Sequence, residues 1–144
     1  MKGSAKADYA CIAMMELAAN HGDRQPLRIK AIAERTGIPP RFLVQVLLLL
    51  KTAGLVASVR GQAGGYQLAR SPQAISLADI LAALEERTAI HSLPTKLKPS
   101  PSARTLAAVW AELHAEERRL LKSISLAELL QRSRDDSVNL TYQI

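Results

Sequence analysis

Apolar residues recur along this chain at helical spacing almost everywhere and at strand spacing only once. Residues 6–22 (KADYACIAMMELAANHG) predict a first helix, apolar on most faces and so buried on more than one side, with Gly22 as its stop. Residues 28–36 (RIKAIAERT) predict a short second helix with Ile29, Ile32 and Ala33 turned inward and Gly37 ending it. Pro39-Pro40 then reopens a helix, because proline in a first turn gives up only an amide that has no helical partner. This third helix runs to about Thr52, with Leu43, Val46, Leu47 and Leu50 at i, i+3, i+4 and i+7, and Gly54 stops it. The period then shortens to two. Residues 55–59 and 66–69 alternate around a glycine-rich tip at 60–65, which predicts a β-hairpin.

Ser76 followed by Asp79 has capping-box spacing and opens a further helix that ends near Glu86. Residues 87–102 hold Pro94, Pro99 and Pro101 among Ser and Lys and read as an irregular linker. From Ala103 a long helix carries Leu106, Val109, Trp110, Leu113, Leu120 and Leu121, close to a heptad stripe interrupted by Glu117. Ser125-Leu126-Ala127-Glu128 repeats the capping pattern and starts a last short helix. The predicted fold is mainly α with a small β-hairpin wing: a winged helix-turn-helix over 1–86, a linker loop over 87–102, and a dimerisation helix with a C-terminal helix over 103–144.

Charge sharpens this picture once the chain is divided. The net charge of +6 lies wholly in residues 1–70, which hold ten Lys and Arg against four Asp and Glu, whereas residues 71–144 hold nine of each. A basic module joined to a neutral assembly module is the distribution expected of a polyanion binder. Aromatic residues make up only 3% of a chain that is 48% hydrophobic, so the core must be aliphatic, as packed helices allow. No run of roughly twenty apolar residues offers a membrane span, and the N-terminus has no apolar run before a cleavage site, so no secretory signal is expected. The single cysteine, Cys11, excludes an intramolecular disulfide and fits a reducing cytoplasm.

In a helix-turn-helix the second helix presents its first turns to base edges. With the apolar face of the third helix turned to the core, Arg41, Phe42, Val44 and Gln45 are left facing outward. Arg can read guanine and Gln adenine bidentately, and Phe or Val can touch a thymine methyl. Arg60, beside Gly61, Gly64 and Gly65, suits a narrow minor groove. The plainer alternative is that these are ordinary solvated side chains.

The string Val59-Arg60-Gly61-Gln62-Ala63-Gly64-Gly65-Tyr66, preceded by Gly54-Leu55-Val56, resembles the wing of the Rrf2 family of transcriptional regulators. The similarity extends through Tyr9-Ala10, Ile32-Ala33 and Gly37-Ile38 to Leu43, and on through residues 75–84 and 125–129. The resemblance implies a dimeric DNA-binding regulator. With the helix and charge reading, it places Arg28, Pro39, Arg41, Phe42, Gln45, Lys51, Arg60, Gly61, Gly64, Gly65 and Tyr66 on double-stranded DNA. Two departures stand out. Many members hold an iron–sulfur cluster with three cysteines in the segment matching 87–102, where this chain has none, so no cofactor is expected. Members also tend to carry polar or basic residues where this chain has Val44, Leu48 and Leu49.

Other constellations are weak. His21, His91 and His114 have no ligand spacing, Asp8 lacks partner thiols, and Cys11 on an apolar helix reads as an inert thiol. No nucleophile, base and oxyanion set is visible, so no enzyme is expected. The expectation is therefore a homodimeric, cytoplasmic repressor on an inverted-repeat operator, controlled by a regulatory protein or small molecule. The alternative is a winged-helix adaptor with little or no DNA binding.

Overall fold

The computed structural model describes residues 4–23, 25–85 and 92–143. Ser4 starts the first helix, α1 (Ala5–Ala19), by accepting a hydrogen bond from the Ala7 amide at 3.1 Å. Ala7, Ala10, Ala13, Met14, Leu17 and Ala18 are all buried, the wide apolar face that the composition predicts. The helix ends three residues before Gly22. The Asn20 side chain donates to the Gln25 carbonyl at 2.6 Å and folds the chain back, and Gly22 lies in a 3₁₀ turn at His21–Asp23.

α2 (Ile29–Thr36) ends at Gly37, whose φ of +78° is the left-handed stop that suits glycine. Thr36 pins the turn, donating to the Ile32 carbonyl at 2.7 Å and accepting from the Ile38 amide at 3.2 Å. α3 (Pro40–Thr52) opens with Pro40 in its first turn and buries Leu43, Val46, Leu47 and Leu50. β1 (Val56–Val59) and β2 (Gly65–Leu68) pair antiparallel, from Val56 opposite Leu68 to Val59 opposite Gly65.

α4 (Leu77–Ala83) has the full capping box: Ser76 accepts from the Asp79 amide at 3.1 Å, and the Asp79 carboxylate accepts from the Ser76 amide at 2.9 Å. It stops at Ala83, short of Glu86, because the backbone turns at Leu84 and reaches φ +56° at Glu85. α5 (Pro101–Ser123) starts two residues before Ala103, since Ser100 caps it at 3.1 Å and Pro101 occupies its first turn. Ser125 caps α6 (Leu126–Gln143) by accepting from Glu128, and this helix has 18 residues where a short one is predicted.

The C-terminal helices are tied to the N-terminal body by backbone. Leu77 donates to the Ile124 carbonyl at 3.0 Å and Leu126 donates to Ile75 at 2.8 Å. Leu126 is fully buried in the same core as Leu17, Leu43, Leu47 and Ile80, and α6 packs against α1. α5 is different: none of its residues is buried. Among the described residues, no helix is long and apolar enough to cross a membrane.

Candidate nucleic-acid interface

The burial of α3 settles which side chains it can offer. With Leu43, Val46, Leu47 and Leu50 in the core, Arg41, Val44, Gln45, Leu48 and Lys51 lie exposed on the opposite face at three- and four-residue spacing. Pro39 is half-buried at the N-cap. Phe42 is turned partly inward, its ring 5.4 Å from that of Tyr9 on α1. The Arg41 guanidinium lies 4.9 Å from the centre of the Phe42 ring, an arrangement that holds a flexible cation in one place. Tyr9 therefore supports Phe42, and Phe42 supports Arg41.

The wing is anchored by a contact that alternation does not reveal. Leu27 and Tyr66 form an isolated antiparallel bridge, Leu27 donating at 2.8 Å and Tyr66 at 2.7 Å. One residue of the α1–α2 connection thus extends the hairpin and brings Arg28, at the start of α2, beside it. Arg28, Gly61, Gly64, Gly65 and Tyr66 line a single hollow of about 300 Å³ with Ile29, Ser58 and Val59. A neighbouring hollow adds Lys30, Gln62 and Ala63. Arg60 is exposed at the end of β1.

Two of these glycines have intramolecular reasons to be glycine. A Cβ on Gly64 would collide with the Val59 carbonyl of its own hairpin. One on Gly65, where φ is +148°, would collide with the Leu27 carbonyl. The sequence reading assigns Arg28, Gly64, Gly65 and Tyr66 to one surface but misses Leu27, because a one-residue strand has no period. It also misses the Tyr9–Phe42 contact, since aromatic residues 33 positions apart carry no local signal.

Along α5 the apolar stripe divides. Leu106, Val109, Leu113 and Leu120 are exposed, while Trp110 and Leu121 are half-buried. Trp110 joins Leu93, His114 and Arg118 in lining a cleft of about 410 Å³ between α5 and the segment before it. Cys11 is partly covered by the core, and burial, with the Asp8 carboxylate nearby, pushes its thiol from 9.0 up to about 11.

Residues 3–132 match the Rrf2 family, described as iron-dependent transcriptional regulators. The chain belongs to the Rrf2 family. It is 41% identical over 138 residues to an HTH-type transcriptional regulator of Synechocystis, covering 90% of this chain and 87% of that one. The structure of IscR from T. potens superposes with a TM-score of 0.73 at 37% identity, covering 92% of this chain and 88% of that one. CymR, the global cysteine regulator of B. subtilis, superposes at 0.78 with 33% identity, covering 92% and 98%. This Rrf2 chain is accordingly a transcriptional regulator with a DNA-binding winged helix, and not an enzyme.

The iron implied by the family description finds no fitting ligand set among the described residues. The chain has one cysteine, and its thiol is held protonated. Among the described residues, no three His, Cys, Asp or Glu side chains are grouped to share a metal ion. His91 lies outside the described residues.

Proposed function

We propose that this regulator acts as a homodimeric, sequence-specific repressor on an inverted-repeat operator. The observation that carries the reading is the outer face of α3, exposed over three turns while its inner face is locked into the core. A helix held this way can enter a major groove about 12 Å wide. Gln45 then reads a base edge, most favourably adenine, and Arg41, steadied on Phe42, reads guanine or its flanking phosphate. Lys51 and Arg28 contact phosphates. Arg28 stands at the N-cap of α2 with no side-chain cap of its own, so the first-turn amides remain available to an anion. Arg60 enters the adjacent minor groove from the wing.

Residues 1–86 carry these DNA contacts, and residues 103–144 carry dimerisation. The exposed Leu106, Val109, Leu113 and Leu120 form a seam on a helix with no buried residue of its own. A second copy related by a two-fold axis buries that seam isologously, with Trp110 and Leu121 at its margin, and places two recognition helices on symmetric half-sites. The linker 87–102, whose Lys96 and Lys98 are exposed, is where a regulatory protein or small anion would act.

In-vitro selection from random duplex, followed by anisotropy titration of the selected site, tests the reading. If a dimer neutralises about six to ten phosphates, affinity should fall roughly 10³–10⁵-fold between 50 and 200 mM salt. Failure to bind any duplex at low salt would refute it.

A further inference from the structure

The outer face of α3 is more apolar than a groove-reading helix needs to be. Val44 is 51% exposed and Leu48 60% exposed, four residues apart and therefore one above the other on the helix. Their polar neighbours have chemistry of another kind. Thr52 donates its hydroxyl to the Leu48 carbonyl at 2.9 Å, and the Arg41 guanidinium is stacked on Phe42. Lys51 is a point charge suited to phosphate rather than to a base edge. Arg41 and Gln45 are the bidentate polar groups of the stripe.

Resting on the placement of α3 in the major groove, the partner of the two apolar side chains can be deduced. Base edges there present nitrogen and oxygen donors and acceptors, and one apolar group, the C5-methyl of thymine. 5-Methylcytosine carries the same group at the same carbon. Val44 and Leu48 are one helical turn apart, about 6 Å along α3, so the groups they meet in the groove belong to nearby base pairs. We propose that Val44 and Leu48 are specificity-determining residues that read two C5-methyl groups on nearby base pairs in each half-site.

The test uses the full-length protein and the duplex it selects in vitro. Each thymine is replaced in turn by deoxyuridine, which removes the methyl and keeps the Watson–Crick pair. In a second series each cytosine is replaced by 5-methylcytosine. Deoxyuridine at two positions per half-site should weaken binding about fourfold per methyl (about 0.8 kcal/mol at 25 °C), or about fifteenfold when one position is changed in both half-sites. A gain of similar size from cytosine methylation at those steps would identify 5-methylcytosine as the source instead. Val44→Ser removes both Cγ methyls from an exposed position, so the fold should persist, and it should erase the methyl effect at one position. Leu48→Ala should erase the other. Specific binding that shifts less than twofold in both series overturns this proposal alone. So does a methyl effect that survives in both variants, which would leave the apolar pair to a protein partner. Absence of sequence-specific binding by the unaltered protein overturns the operator reading as well.

Discussion

Leu113→Glu places a carboxylate in the middle of the proposed α5 seam. In the protomer Leu113 is 54% exposed, and Leu106, Val109 and Leu120 on the same face are 44, 43 and 54% exposed. Burying a whole Leu or Val side chain is worth about 1.5–3 kcal/mol, so covering the exposed half of Leu113 contributes about 0.8–1.5 kcal/mol. Two-fold symmetry counts it twice, and losing roughly 1.5–3 kcal/mol raises the dimer dissociation constant roughly 10- to 150-fold. The two introduced carboxylates, near each other across the axis, add repulsion to that loss. Sedimentation equilibrium over a concentration series reads the shift directly. Ala115→Glu is the control: Ala115 is exposed and lies about 200° around the helix from Leu113, so its dimer should match the unaltered protein. Because α5 buries no residue within the protomer, far-ultraviolet circular dichroism of both variants should be unchanged. A Leu113→Glu protein that dimerises as tightly as the unaltered chain would remove α5 as the seam.

Three further outcomes are expected. Gln45→Ala should cost about 1–3 kcal/mol at one base pair per half-site, whereas Arg60→Ala should weaken binding and relax the preference for A·T-rich flanks; competition against point-substituted operators separates them, and equal binding by both variants would show that neither residue meets a groove. Gly65→Ala should cost about 1–3 kcal/mol, since it combines a backbone conformation that L residues rarely adopt with a collision against Leu27; an unchanged calorimetric midpoint would contradict the geometry. Cys11 should resist alkylation at neutral pH. Because its folded pKa is raised from 9.0 to about 11, its contribution to stability is present below about pH 9 and fades as pH rises towards 11. Fast labelling of the folded protein at pH 7 would be the contrary result.

Much of this architecture is readable from spacing alone. The core face of α3, the capping box at Ser76 and Asp79, and the hairpin with its glycine tip all follow from local periodicity and local chemistry. What escapes it depends on which partner a side chain finds and on how much of an element is exposed, neither of which periodicity reports. Asn20, not Gly22, ends the first helix because its amide finds Gln25 across a turn. Trp110 falls within a heptad stripe in sequence, yet it is half-buried within its own chain and lines a cleft with Leu93. The length of α6 is hidden by its composition: beyond Leu130 its residues to 139 are exposed, so no apolar stripe announces the later turns.

The wing string shows why family and operator differ in legibility. Gly64 is fixed by the hairpin's own carbonyls and Gly65 by the Leu27 bridge, so both would be selected by folding even if the wing touched nothing. A motif written by backbone constraints is recognisable because it tolerates few alternatives. The positions proposed to face the groove are under no such constraint. Arg41, Val44, Gln45 and Leu48 are exposed, and replacing any of them should leave the protomer's packing nearly intact. These positions are therefore free to change with whatever DNA they would meet. The residues that identify the fold and those that would choose the operator form separate sets, meeting at Phe42, whose ring packs on Tyr9 on one side and carries the Arg41 guanidinium.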